Sequence, residues 1–408
     1  MSSKIRKIKY WQFFKAAFVL GCTAFGGPQI HIPLFIKRLT QDKKFINAED
    51  LLDINAFCNI LPGPSTTQTL AAVGFKIGGP ALAFIGLLAW ILPGAIIMSV
   101  FALTPGLISG HTFRFIPPMT AAFFVFSIFK MLALVRPDWI NYAIVAILTI
   151  LTFLLQSPLI FPIAIVASGW LSARFGSREF IPNRNPFGPV NWSNLVLFLI
   201  IIGLLGLGGF LLSANENSLG ISKPIILFEN TYRMGSLTFG GGNSLAAMAI
   251  EQYVEYNHRL SHRELNIGIG LVQGIPGPNF NLATYFNGVA MRNYGYSPLA
   301  QIAGCAIGMV AVFLPGLLLI FFGYPLWAKL KGYPIVQRSL DGIFAASVGF
   351  IGSAALLINS HFFGQLAFQS QYTAPLAIYS LSLLLLFSKK VSPPIVVLLA
   401  LTAGMLIP

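Results

Sequence analysis

The chain has 408 residues, 56% hydrophobic and only 9% charged, against roughly 25% charged in an ordinary soluble domain. That leaves too little polar surface for a water-soluble fold, and the strict alternation of a membrane β-barrel is missing. The expectation is an all-α polytopic membrane protein. The net charge of +14 does not point to nucleic acid, because the basic residues sit at the ends of apolar segments, as topogenic signals do.

In chain order, the basic stretch 4–9 leads into apolar residues 11–24 without a cleavage site, so no cleavable signal peptide is expected. Membrane segments are predicted at 10–36 and 51–78, each interrupted, then at 80–104, 115–135, 139–156 and 158–173. A polar, proline-rich bridge occupies 177–189. Beyond it come 193–213, then 224–254 and 265–290, both interrupted, and finally 299–323, 340–359, 373–388 and 392–407. Several approach the roughly 20 residues that span a bilayer. The chain thus reads as two repeats, 1–190 and 191–408. Cys22, Cys58 and Cys305 all lie in apolar segments without a CxxC pair and are expected to be buried thiols.

The interruptions are duplicated. Phe25-Gly26-Gly27-Pro28 recurs as Phe239-Gly240-Gly241-Gly242, and Pro62-Gly63-Pro64 recurs as Pro276-Gly277-Pro278, both 214 residues later. Gly21 and Gly74 repeat as Gly235 and Gly288 at the same offset. Further on the offset becomes 222, with Leu92-Pro93-Gly94 matching Leu314-Pro315-Gly316, which implies an eight-residue insertion near 291–298. Segment 193–213 has no counterpart before the first copy. One extra crossing would flip the second copy, so an inverted repeat is expected, with a pseudo-two-fold axis in the membrane plane. Residues 16–36 form either a re-entrant hairpin with two arms of about 10 residues, roughly 15 Å each, or a full crossing with a central kink.

A helix restarting after such a break presents unpaired N–H groups and a positive dipole end, which together suit an anion. Polar residues follow each break: Gln29 and His31; Ser65, Thr66, Thr67, Gln68 and Thr69; Asn243 and Ser244; Asn279 and Asn281. They are expected to serve as neutral hydrogen-bond donors to an oxyanion. The bland alternative is that Gly and Pro let helices approach closely, with hydroxyls bridging them. His31 reads equally as a ligand-site residue or a packing partner. Asp53, Glu251, Glu264 and Asp341 are either proton relays or interfacial acids. Lys76, Lys130 and Arg292 either attract anions or snorkel. No HExxH pair or GxSxG elbow occurs, so neither an enzyme nor a metal site is expected.

Residues 25–32 (FGGPQIHI), 61–64 (LPGP), 239–254 (FGGGNSLAAMAIEQYV), 275–284 (IPGPNFNLAT) and 340–352 (LDGIFAASVGFIG) resemble the signature motifs of the chromate ion transporter family, in its long two-domain form. The resemblance implies export of chromate from the cytoplasm across a bacterial-type plasma membrane, conferring chromate resistance. Some related proteins are linked to sulfate, a dianion of the same shape. It implies a substrate site at Gly26, Gly27, Pro28, His31, Pro62, Gly63, Pro64, Gln68, Gly240, Gly241, Asn243, Glu251, Pro276, Gly277 and Pro278. No cofactor is implied; the partners are the substrate anion and the lipid bilayer, and a homodimer stays open. The halves are unequal: Gly242 stands where the first copy has Pro28, and no counterpart of Gln68 follows the second PGP.

Overall fold

The computed structural model describes residues 3–25, 28–59, 61–106, 110–157, 160–177, 222–239, 241–330, 333–366, 373–388 and 390–407, with a few isolated positions between 196 and 204. Predicted segment 193–213 and most of the 177–189 bridge therefore lie outside the described residues. The described chain is all-α, with fifteen α-helices. Among the described residues, four helical stretches are long and apolar enough to cross a membrane: Ser65–Leu103, His111–Leu132, Pro298–Gly323 and Pro334–Leu366. This is a multi-pass integral membrane protein.

In the first half, α1 (Ser3–Thr23) ends at the first break, and α2 (Pro28–Phe35) restarts the helix. The chain then widens into a π-helix, Ile36–Asp42. Helix α3 (Ala48–Cys58), capped by the Asn47 side chain, runs to the PGP break, and α4 (Ser65–Leu103) follows with a break at Gly79. Helices α5 (Ile116–Leu132), α6 (Trp139–Leu155) and α7 (Ile160–Phe175) complete it.

The second half repeats this local plan. Helix α8 (Ser222–Leu237) leads to the second Gly-Gly break, α9 (Gly242–Ala249) restarts, and a π-helix, Ile250–Tyr256, follows. Helix α10 (His262–Gly274) starts at a capping box between Ser261 and Glu264. Past the second PGP, a 3₁₀ turn (Asn279–Asn281) enters α11 (Leu282–Asn293). Then come α12 (Pro298–Leu330), α13 (Pro334–Leu366), α14 (Thr373–Phe387) and α15 (Pro393–Leu406). The restart helices and both π segments lie 214 residues apart end for end. The four residues between α11 and α12, at 294–297, sit where the sequence offset changes.

Small residues set the central contacts. Helix α1 lies so close to α4 that a Cβ on Gly21 would be 2.6 Å from the Trp90 carbonyl oxygen, and a Cβ on Gly235 of α8 would be 2.5 Å from the Val312 carbonyl oxygen of α12. Such close backbone approach substitutes for the hydrophobic effect, which cannot drive association within lipid. Helices α4, α11 and α12 join the halves at the centre, while α13 packs on α5, α6 and α7.

Two expectations change. The first segment is not a pair of ten-residue arms: α1 alone has 21 residues, about 31 Å at 1.5 Å per residue. Cys22 is exposed; Cys58 and Cys305 are buried, and all three are free thiols.

Candidate functional site

Four chain breaks converge, although their sequence positions span more than half the chain. The amide of Gly63 donates to the Thr238 carbonyl at 2.6 Å, and the amide of Gly277 donates to the Ala24 carbonyl at 2.8 Å. The pairs are reciprocal: each half gives its PGP amide to the carbonyl just ahead of the other half's Gly-Gly break. Both glycines occupy positive φ, 111° and 94°, where a side chain is strained. Within each half, the restart helix also meets its own PGP. His31 of α2 has Nδ1 3.4 Å from the Thr66 hydroxyl of α4, and Gly242 of α9 lies against Asn279. The four contacts close a ring.

The flanking prolines shape it. Pro64 is the residue before α4, and Pro278 precedes the 3₁₀ turn. The Pro62 carbonyl accepts from Gln68 Nε2 at 2.7 Å. The Pro276 carbonyl lies beside Gly94 of α4, and Asn281 Nδ2 donates to the Ile91 carbonyl at 3.2 Å. Pro28 opens α2. Asn243 Nδ2 donates to the Ser127 hydroxyl of α5 at 3.2 Å. Gly26, Gly27 and Gly240 lie outside the described residues. Glu251 stands apart from the ring-forming contacts, on the π segment beyond α9, and is buried.

The side-chain donors differ from the expectation. The NH₂ groups of Gln68, Asn243 and Asn281 are engaged with protein acceptors. What remains buried without a protein partner is His31 Nε2, the Ser244 and Thr284 hydroxyls, and the amide oxygens of Gln68, Asn243 and Asn281. The polar groups left at the breaks are hydroxyls, the imidazole and the first main-chain amides of α4 and α9, apart from those of Gln68 and Ser244, which donate to the Pro64 and Gly241 carbonyls at 2.8 and 3.2 Å. Buried polar atoms are nearly always paired; these six lie at or just after the breaks, and others are spread through the protein, at Thr152, Tyr232 and Asn359 among them.

The other candidates separate. Asp53 is exposed. Lys76 pairs with Asp50 at 2.7 Å, and Arg292 with Glu264 at 2.7 Å. Lys130 lies over the Phe126 ring, and Asp341 faces Arg136 at 3.9 Å. None of these three cations joins the ring-forming contacts. Trp90 was not singled out by sequence; its indole donates to the Thr67 hydroxyl at 3.0 Å while its ring meets His31 edge-on. Also missed was a buried knot in which the Tyr253 hydroxyl meets Thr231 at 2.9 Å and Asn287 at 3.3 Å, tying α8, the π segment and α11.

The model of the chromate transporter family matches residues 11–173 and 225–405. The chain belongs to the chromate transporter family. An uncharacterised transporter of Methanocaldococcus jannaschii is 26% identical, over 97% of this chain and 93% of its own length. Chromate transport proteins of Pseudomonas aeruginosa and Cupriavidus metallidurans are 24% and 22% identical, over 86% and 93% of this chain and 81% and 88% of theirs. No solved structure matches. All four breaks fall within the matched residues of the chromate transporter model.

Proposed function

We propose that the chain is a secondary transporter that exports chromate from the cytoplasm across the plasma membrane and so confers resistance, with the ring of breaks as its substrate site. The observation that carries this reading is the reciprocal bonding of Gly63 to Thr238 and of Gly277 to Ala24. It holds helix starts from both halves around one place, as half-helix transporters do at the midplane. The two repeats, 1–190 and 191–408, are then an inverted pair, and rocking one on the other alternates access. The site is made of neutral donors and amides, which suits a tetrahedral dianion. A dianion leaving a negative-inside cell gains about 4.6 kcal/mol per 100 mV, twice the single-charge value, so export needs no further drive.

The test is radiolabelled chromate uptake into inside-out vesicles, with and without excess sulfate. Saturable uptake supports export, and inhibition by sulfate places both dianions at one site. Absence of uptake with wild-type protein correctly inserted overturns it. Unitary currents in a planar bilayer would replace alternating access with a channel.

A further inference from the structure

Glu251 is 2% exposed, and neither carboxylate oxygen has a hydrogen-bond partner. The Ser353 hydroxyl of α13 stands beside it, short of hydrogen-bond geometry. The charge acting on it is Glu255, four residues along the same π segment. Among the described residues no cation is paired with it, although the buried Arg259 Nη1 also has no hydrogen-bond partner. Arg233 of α8 is committed to Glu229 at 2.9 Å and to the side chains of Asn230 and Gln252, and Arg259 lies over the Tyr253 ring. A buried carboxylate without a cation is costly; a proton is the ligand that neutralises it in place.

A path of titratable groups leads outward. Glu255 Oε1 lies 3.2 Å from His262 Nε2 of α10. The His262 ring stacks on His361 of α13 with centroids 4.0 Å apart, and His361 Nε2 is 2.9 Å from Gln365. His258 also lies near Glu255. Side-chain exposure falls from 26% at His262 to 16% at Glu255, and Glu251 lies buried beyond. The arrangement is not required by the fold. The matching π segment of the first half carries an exposed Lys37 at the Glu251 position and Gln41 at the Glu255 position.

We propose that Glu251 carries one proton per transport cycle, taken up from water on one side of the membrane through Glu255 and the His262–His361 pair. This rests on the transport reading above. A proton from water binds an imidazole nitrogen, passes to the Glu255 carboxylate and then to Glu251, forming one O–H bond there. Neutral Glu251 permits the dianion to occupy the ring; on the opposite side the Glu251 O–H bond breaks, the proton passes to water and the dianion leaves. One proton thus accompanies one dianion, moving a net charge of −1.

Purified protein in liposomes with an entrapped pH dye, membrane potential clamped, tests this. A chromate gradient should shift luminal pH in wild type. Net chromate flux without any pH shift overturns proton coupling while leaving transport intact; absence of any chromate flux or exchange overturns the transport reading itself. The double variant His262→Gln/His361→Gln should keep chromate exchange within about twofold but lose at least about tenfold of the chromate-driven proton flux, as expected for removal of a relay. Wild-type proton flux in that variant overturns the path. In wild type, a lipid-soluble carbodiimide, which modifies protonated buried carboxyls, should label Glu251, less so as pH rises; an unlabelled Glu251 overturns its assignment.

Discussion

The Gly63 amide and the Thr238 carbonyl, 175 residues apart in sequence, meet at 2.6 Å, and the identical pair of positions 214 residues out of phase, Gly277 and Ala24, meets at 2.8 Å. Two bonds of this kind tie the chain breaks of one repeat to those of the other. They join the place where the substrate is proposed to sit to the interface on which the halves would move.

Gly277→Ala should destabilise the protein by about 1–3 kcal/mol, the cost of holding a non-glycine residue in a sparsely populated backbone region. An added Cβ there meets nothing closer than 3.5 Å, so the cost is conformational. Gly295 has a similar φ of 79° with nothing within 4 Å but lies outside the ring. Thermal unfolding in detergent should show comparable losses for both alanine variants, while chromate exchange falls only for Gly277→Ala.

Gln68→Leu copies into the first repeat the residue that the second has at Leu282. It removes the part-buried bond to the Pro62 carbonyl and should cost about 1 kcal/mol, the net worth of a typical hydrogen bond. Chromate exchange in liposomes should fall at least about tenfold, since about 1.4 kcal/mol of altered site geometry suffices for that factor. Unchanged exchange would remove Gln68 from the site.

Lys76→Ala should leave chromate exchange unaltered. Its ammonium is paired with Asp50, and both side chains are about 40% exposed, so the pair contributes about 0–1 kcal/mol. A large loss of exchange would restore Lys76 as an anion attractor.

Asp138 caps α6 from the loop before it. Burial pushes its carboxyl up, but the Ser177 amide at 2.8 Å and hydroxyl at 2.9 Å, the Ile140 amide and Arg136 outweigh that and hold it below its usual 3.8. A carboxyl lowered in the folded state stabilises above its unfolded pKa and loses that contribution as pH falls through the folded value. Asp138→Asn should therefore lower Tm at pH 7, and the gap to wild type should narrow below about pH 3.8. A gap independent of pH would show that the carboxylate charge contributes nothing.

Much of the site was legible because glycine and proline act locally. A Gly-Gly or PGP in an apolar run breaks a helix whatever surrounds it, and repetition at one spacing announced that the breaks belong together. The π segments were not legible: Ile36–Asp42 and Ile250–Tyr256 have no composition that separates them from α-helix, since the wider turn is imposed by packing. The burial of Glu251 depended on them, because sequence placed it beside Glu255, His258 and Arg259 at a presumed helix end. The Thr231–Tyr253–Asn287 knot escaped for a different reason. Its members come from three segments and have no equivalents in the first repeat, where Ala17, Leu39 and Val73 stand. The engagement of Gln68, Asn243 and Asn281 by carbonyl and hydroxyl acceptors is likewise a three-dimensional fact.

The exchanged amide bonds also bear on how the chain comes to be assembled. Neither repeat satisfies its own PGP amide; each depends on a carbonyl that only the other supplies. While the ribosome has delivered only the first repeat, Gly63 has no such acceptor, and an unpaired amide at membrane depth costs several kcal/mol. An unfinished first repeat thus waits for the second to supply its acceptor, and a chain truncated between them is expected to accumulate in the membrane at a lower level than the full chain.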